Sequence, residues 1–142
     1  MKLEKTLSII KPDAIESKYQ GKILDFIENK GFKIIAQKKI KLTRNQAESF
    51  YEIHKDRPFF VELVDFMISG DISVQVLEAD NAVSYYREVM GNTDPEKAEP
   101  DTIRKLYGRN IQCNAVHGSD SSENAQKEIN FFFSKLELIK EK

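Results

Sequence analysis

The sequence has few features that cross-link, target or anchor a chain. Its single cysteine, Cys113, cannot form an internal disulfide, which is typical of proteins from reducing compartments. The N-terminal residues Met-Lys-Leu-Glu-Lys are charged and lack the apolar stretch of a signal peptide. No run approaches the ~18 consecutive apolar residues of a membrane span. We therefore expect a cytoplasmic protein that does not associate with membranes.

The chain also lacks a large excess of positive charge. Its 22 Lys and Arg residues are balanced by 23 Asp and Glu residues, which gives a net charge of −1. General binding to nucleic acid or to anionic membranes requires a cationic excess, so no specific nucleic-acid partner is expected. No repeat or Pro/Gly/Ser-rich linker interrupts the 142 residues, of which 40% are hydrophobic. The sequence therefore predicts one domain over residues 1–142, long enough to build a core.

Hydrophobic periodicity predicts strands and helices in mixed order. The predicted strands are 5–11, 32–40, 73–77 and 111–117, and the predicted helices, with their caps, are 20–30, 43–53, 58–70, 80–91, 102–106 and 121–136. This spacing alone allows either a parallel βαβ sheet or a mixed α+β sheet. Two adjacent helices between the second and third strands weigh against a simple doubly wound order. Residues 91–101 show no periodicity and are predicted to form a loop of a functional site.

Three polar residues fall on faces that periodicity assigns to the core, namely Lys11, Tyr51 and Glu128. Lys11 can be a strand-end lysine whose charged head reaches solvent, and Tyr51 can be a core tyrosine with a satisfied hydroxyl. A carboxylate at position 128 requires a partner, because burying an unpaired charge is costly. The last helix follows directly after His117, so packing it back on the strand can bring Glu128 near the imidazole.

His117 is the stronger nucleophile candidate of the two histidines. It ends a predicted strand and precedes Gly118, Ser119 and Asp120, where the free backbone N–H groups before a helix favour phosphate oxygens. A neutral imidazole is nucleophilic near pH 7, and a carboxylate partner fixes its tautomer. A lone histidine in a strand is nevertheless more often structural.

Four arginines lie near element ends or near the predicted site loop, and they are Arg57, Arg87, Arg104 and Arg109. Arginine is the natural clamp for phosphate, although each of these can equally form a surface ion pair. The sequence contains no Walker A loop, dinucleotide-binding glycine fingerprint, paired-cysteine zinc site or Gly-x-Ser-x-Gly elbow. Any phosphate binding therefore has to proceed without the commonest Gly-rich cradle.

The segment Asn114-Ala-Val-His-Gly-Ser-Asp-Ser resembles the active-site signature of nucleoside diphosphate kinases. Other blocks similar to this family occur in the same order: Ser8-Ile-Ile-Lys-Pro-Asp, His54-Lys-Asp-Arg-Pro-Phe-Phe, Arg87-Glu-Val-Met-Gly with Thr93, and Thr102-Ile-Arg. The resemblance covers roughly residues 4–133. The chain departs from it at Asp71 and Asp101, where many members carry Pro and Gly.

The resemblance implies a ferredoxin-like α+β fold, βαββαβ, with a four-stranded antiparallel sheet and additional helices. It implies transfer of the γ-phosphoryl group of a nucleoside triphosphate, typically ATP, to a nucleoside diphosphate. The route would be ping-pong through a phosphohistidine at His117. Magnesium would be bound mainly through the nucleotide phosphates, with no metal ligands from the protein. The chain would form a homo-oligomer, with a hexamer favoured and a tetramer possible.

The resemblance also implies roles for individual residues. Glu128 would orient His117, and Ser119 would assist through Glu128. Lys11 and Tyr51 would lie close to the transferred phosphoryl group. The other implied nucleotide contacts are to the sugar (Lys11 and Asn114), to the remaining phosphates (Arg57, Arg87, Thr93 and Arg104) and to the two faces of the base (Phe59 and Ile111).

Two other functions are weighed against the kinase. A ferredoxin-like binding module would carry exposed aromatics on its central strands and a basic face. The predicted strands after Phe32 carry no aromatics, and the net charge is −1. A catalytically silent nucleotide sensor would be expected to lack His117, Lys11 or Glu128. All three residues are present, so the enzyme is favoured. The role of residues 136–142 stays open, with subunit contact as one possibility.

Overall fold

A four-stranded antiparallel sheet forms the centre of the computed structural model, which describes residues 2–139. The strands are β1 (Leu3–Ile10), β2 (Lys33–Ile40), β3 (Ile72–Asp80) and β4 (Val116–Gly118). The helices are α1 (Pro12–Glu16), α2 (Gln20–Asn29), α3 (Arg44–Phe50), α4 (Phe60–Met67), α5 (Ala82–Met90), α6 (Ile103–Tyr107) and α7 (Ser122–Phe132), and 3₁₀ turns lie at Glu52–His54, Pro95–Lys97 and Lys135–Glu137. The strand order β2-β3-β1-β4, antiparallel throughout, confirms the predicted ferredoxin-like α+β fold.

The two faces of the sheet carry separate hydrophobic clusters. Successive strand residues point to opposite faces, so Leu7 and Ile9 of β1 pack with α3, α4 and α7. Ile10 packs on the other face with α2 and α5. Both Leu7 and Ile9 are fully buried, and burying such a side chain stabilises a fold by roughly 1.5–3 kcal/mol. The central strand β1 is thereby fixed, and the residues at its C-terminal end are held on a rigid support.

Several helix starts follow the predicted capping chemistry. Thr43 and Gln46 form the predicted capping box, in which each side chain bonds the other residue's backbone N–H. The Ser121 hydroxyl accepts a hydrogen bond from the Asn124 N–H at 3.1 Å and starts α7. The short helix predicted near residues 102–106 is present as α6, with Thr102 as its N-cap.

The predicted fourth strand is wrong over most of its length. It was expected to cover 111–117, but β4 contains only Val116–Gly118. The alternation of Ile111, Cys113 and Ala115 imitates a strand, yet Ile111 is 61% exposed. Local bonds hold this segment as a loop instead, among them one from the Asn110 side chain to the Cys113 N–H at 2.8 Å. Ala115 has a φ of +74°, which interrupts the extended backbone.

Other predicted element ends also differ from the structure. Pro58 was expected to start a helix, but α4 begins at Phe60, after a turn. Asp80 was expected to cap the next helix, yet it ends β3, and Asn81 precedes α5 in the left-handed conformation. The last helix ends at Phe132 rather than at Leu136, because Phe133 takes up an extended backbone and is buried in the core.

Asp101 adopts a φ of +62°, the left-handed region that glycine enters without strain. Its carboxylate pairs with the Lys30 ammonium at 2.7 Å.

At the C-terminal end, Leu138 packs against the core, and the Ile139 N–H donates to the Ile35 carbonyl at 3.3 Å. The remainder of the predicted C-terminal extension, residues 140–142, lies outside the described residues. Within residues 2–139, no helix is long and apolar enough to cross a bilayer.

Candidate active site

A cavity of about 690 Å³ lies where the C-terminal end of β1 meets β4, α5 and the segment after α5. It is lined by Lys11, Arg87, Glu88, Met90, Gly91, Asn92, Thr93, Lys97, Glu99, Thr102, Arg104, His117 and Gly118. Four of these side chains are cationic and two are carboxylates, and a cavity with an excess of one charge concentrates ligands of the opposite charge. The cavity is therefore suited to a polyanion, and it contains a histidine.

His117 is held by a carboxylate on the neighbouring helix. It pairs with Ile9 in the sheet, and its Nε2 donates to Oε1 of Glu128 at 2.8 Å. The Ser119 hydroxyl donates to the same oxygen at 2.8 Å. Because a carboxylate only accepts hydrogen bonds, the ring proton is on Nε2 and the Nδ1 lone pair is free. The sequence expectation that Glu128 approaches the imidazole is confirmed.

Lys11 is positioned by the end of β1 and the start of α1. Its Nζ donates to the Asn114 side-chain oxygen at 2.8 Å, and the Asn114 amide donates to the Thr93 carbonyl at 3.0 Å. These bonds connect three predicted site residues from three distant parts of the chain. Burial, together with the nearby Arg104 guanidinium, lowers the pKa of the Lys11 ammonium to about 8.

We expect activity to fall on the alkaline side as pH rises through about 8, the pKa of the Lys11 ammonium. Lys11 carries its positive charge below this pKa and loses it above, so its attraction for an anionic ligand weakens as the pH rises. The measurement is kcat/KM against pH at constant ionic strength. A profile that is flat from pH 7 to pH 9.5 would contradict the prediction.

Arg104 connects the predicted site loop to the histidine strand. From α6, its guanidinium donates to the Gly91 carbonyl at 3.0 Å and to the Val116 carbonyl at 2.9 Å. The side chain is buried, and burial lowers its pKa. Gly91, Thr93, Lys97 and Glu99 all line the cavity. The irregular segment 91–101 therefore lines the cavity, and its role in a functional site stays a prediction.

Tyr51 lies on the other side of the imidazole. Its ring stands perpendicular to the His117 ring at 6.5 Å, and both border a second cavity of about 120 Å³. The tyrosine is buried, and its hydroxyl has no hydrogen-bond partner within residues 2–139. Burial raises the pKa of Tyr51, and the Glu128 carboxylate raises it further. The hydroxyl is therefore a neutral donor available to a ligand beside His117.

Besides Asn114, which is bonded to Lys11, three predicted nucleotide contacts do not line the cavity. Arg57 is exposed in the turn before α4. The Phe59 side chain is 47% exposed, with its ring 5.5 Å from that of His54. Ile111 borders a separate surface cavity. Their contacts to phosphate and base stay predictions.

Sequence reasoning missed Asp13, which is buried just below Lys11. Its carboxylate accepts a hydrogen bond from the Ala115 N–H at 3.1 Å. Asp13 belongs to the Ser8–Asp13 block that resembles the family. An acidic residue directly after a proline is also common in the first turn of a helix, so the sequence did not mark Asp13 as a functional residue. Lys97 and Glu99 were also missed, because only their place in the irregular segment distinguished them.

Comparisons with known proteins agree on one family. The family profile described as nucleoside diphosphate kinase matches residues 4–138. A nucleoside diphosphate kinase of Ehrlichia chaffeensis is 60% identical over 137 residues, covering 96% of both chains. One of Persephonella marina is 55% identical, covering 98% of this chain and 99% of the relative. The crystal structure of the Aquifex aeolicus nucleoside diphosphate kinase superposes with a TM-score of 0.94 at 47% identity, covering 96% of this chain and 99% of the other.

The chain therefore belongs to the nucleoside diphosphate kinase family. It is a phosphotransferase whose substrates are nucleotides. This confirms the predicted enzyme and rejects the two alternatives, a binding module without catalysis and a silent sensor.

Proposed function

We propose that the transfer proceeds by a ping-pong route through a phosphohistidine on Nδ1 of His117. The observation that supports this proposal is the hydrogen bond between Nε2 of His117 and Glu128. Because Nε2 is engaged in that bond, Nδ1 is the ring nitrogen available to attack the γ-phosphorus. In the first half-reaction the Nδ1 lone pair forms a bond to the γ-phosphorus, and the bond to the β–γ bridging oxygen breaks. The nucleoside diphosphate leaves. A terminal oxygen of a second diphosphate then attacks the phosphorus and displaces the imidazole.

The carboxylate supports the positive ring that forms during the attack. When Nδ1 binds phosphorus, the imidazole gains positive charge, and Glu128 stabilises that charge through the bond to Nε2. Ser119 keeps the carboxylate aimed at the ring, since its hydroxyl bonds the same oxygen. Ser119 is itself tied to β1, because its N–H donates to the Leu7 carbonyl at 3.3 Å.

Cationic and polar groups hold the phosphates in line with Nδ1. Positioning and charge stabilisation carry most of the rate in phosphoryl transfer. Lys11 and Tyr51 flank the transferred group, and Arg87, Thr93 and Arg104 bind the other phosphates. Asn114 bonds the sugar. Outside the cavity lining, Arg57 closes on the phosphates, and Phe59 and Ile111 cover the two faces of the base.

Magnesium enters with the nucleotide as part of the substrate. Within residues 2–139, no cluster of three or more His, Cys, Asp or Glu side chains can hold a metal. Glu88 and Glu99 line the cavity, and one or two carboxylates together with phosphates suit Mg²⁺, which keeps several waters. The metal neutralises phosphate charge when bound.

The phosphohistidine is tested with γ-labelled ATP and magnesium in the absence of acceptor. We expect the protein to take up label that is lost in acid and stable in base, and GDP to chase that label into GTP. A protein that turns over normally but never carries label would contradict the ping-pong route and favour direct transfer between bound nucleotides.

Replacing Glu128 by alanine should slow transfer about 10- to 100-fold, less than loss of the histidine itself. The imidazole keeps its lone pair but loses its orientation, and a misplaced group can cost about 100-fold. The measurement is kcat beside Glu123→Ala, which removes an exposed carboxylate from the first turn of the same helix. Equal rates in the two variants would contradict the proposed coupling to His117.

Three further features belong to the same proposal. Residues 1–142 form a single domain, which is supported by one sheet with a core on each face. The chain forms a homo-oligomer, a hexamer in preference to a tetramer, with exposed Leu136 and Ile139 available for subunit contact. Its place of action is the cytoplasm, which is consistent with the free thiol of Cys113.

A further inference from the structure

The residue two positions before His117 has a strained backbone. Ala115 has a φ of +74°, and the Val116 N–H donates to the Asn114 carbonyl at 2.9 Å. Together these define a three-residue γ-turn of the rare, left-handed kind. Alanine does not favour this conformation, because its Cβ crowds the backbone there. A conformation of this kind persists only where the surrounding structure determines it.

Two groups from the start of α1 hold both sides of this turn. The Asp13 carboxylate accepts from the Ala115 N–H at 3.1 Å, and the Lys11 N–H donates to the Ala115 carbonyl at 2.8 Å. Asp13 is 6% exposed and Ala115 is fully buried. The carboxylate is therefore the acceptor that the buried Ala115 N–H has in the folded protein.

The turn determines where the neighbouring site residues lie. On one side, Asn114 reaches Lys11 and the Thr93 carbonyl. On the other side, Val116 and His117 enter β4, a strand of three residues with a single neighbour, β1. A strand this short forms few hydrogen bonds of its own, so the position of its first residue has to be fixed by contacts with other parts of the chain.

We propose that Asp13 is a positioning residue of the transfer reaction. Its carboxylate holds Ala115 in the left-handed turn that places Asn114 and His117, and it supplies a negative charge that faces Lys11. The inference rests on the proposed role of His117. Asp13 lies below the cavity and does not line it, so it acts through Ala115 and Lys11 rather than on the nucleotide.

The charge part of this role predicts a change in the pH profile. Asp13 and Cys113 favour the charged form of Lys11, while Arg104 opposes it. Arg87, Lys97, Glu88, Glu99 and His117 line the same cavity and are not substituted in the variants. Without the Asp13 carboxylate, the Lys11 ammonium loses a stabilising negative charge and its pKa falls. The decrease of kcat/KM at alkaline pH should therefore move to lower pH.

The test compares Asp13→Ala with Glu16→Ala, which removes an exposed carboxylate from the same helix. We expect Asp13→Ala to lower the single-turnover rate of phosphoryl transfer about 100-fold. The Kd for ADP should change less than the rate, because the phosphate contact proposed for Arg87 on α5 does not depend on the turn. Adding Ala115→Gly should recover about tenfold of the rate, since glycine adopts a positive φ without strain. Equal rates in the Asp13 and Glu16 variants, or no recovery with glycine, would overturn the proposal.

Asp13→Asn keeps the proposal testable if the alanine variant does not fold. The amide oxygen can still accept from the Ala115 N–H, so the rate at pH 7 should stay near that of the wild type while the alkaline fall moves to lower pH. The proposal would be overturned if the asparagine variant were slowed about 100-fold at pH 7, or if its loss of activity at alkaline pH occurred at the same pH as in the wild type.

The transfer rate reports on Asp13 whichever residue carries the phosphoryl group. A wild-type enzyme without acid-labile label would instead refute the proposed route.

Discussion

Replacing His117 by alanine should abolish nucleotide-dependent phosphoryl transfer while the protein still folds. The loss should be at least about 1,000-fold, because no other group in the cavity can supply the ring nitrogen for covalent catalysis. The imidazole is 21% exposed at the end of an edge strand, so its removal leaves a small gap rather than a core cavity. The measurements are kcat, label uptake from γ-labelled ATP, and the thermal midpoint of unfolding.

The chain offers its other histidine, His54, as a matched control. This residue lies in a 3₁₀ turn with its ring 5.5 Å from that of Phe59. His54→Ala should still take up acid-labile label. Turnover by His117→Ala, or label that persists in it, would contradict the assignment of the nucleophile.

Replacing Lys11 by methionine should lower kcat about 100- to 1,000-fold, the usual cost of losing one preorganised donor to developing charge. Methionine keeps the apolar stem that packs at the end of β1, so the fold should be retained. The measurements are kcat and the thermal midpoint of unfolding. The alkaline fall of activity near pH 8 should disappear in the same variant, because the group that titrates there is gone.

Lys41→Met is the comparison for this variant, since Lys41 is exposed between β2 and α3. It should transfer phosphate at the wild-type rate. If Lys11→Met kept both the wild-type kcat and the alkaline fall, neither the proposed phosphate contact nor the assignment of the titration to Lys11 would stand.

The sequence predicted most of the architecture and the contact between Glu128 and His117. Short sequence motifs correctly predicted helix ends that depend on one or two neighbouring residues, such as the capping box of Thr43 and Gln46 at the start of α3. The informative site residues were polar groups on apolar faces, because burial of Lys11 and Glu128 requires partners. The structure provides those partners in Asn114 and His117.

The misses have a shared physical cause. β4 was overestimated because alternation of apolar residues does not report a left-handed residue such as Ala115. The contact that stabilises this residue comes from Asp13, far away in sequence. Periodicity records which face a side chain occupies, but it carries no information about long-range bonds to the backbone.

The depressed pKa of Lys11 has a consequence for the energetics of substrate binding. Near pH 8 about half of the molecules have a neutral amine at this position. A bound phosphate favours the ammonium, so binding draws a fraction of a proton from the buffer. The measured enthalpy of nucleotide binding then includes the ionisation heat of that buffer. With Lys11 in the proposed phosphate contact, we expect apparent affinity and proton concentration to be thermodynamically linked, so that nucleotide binding weakens as the pH rises.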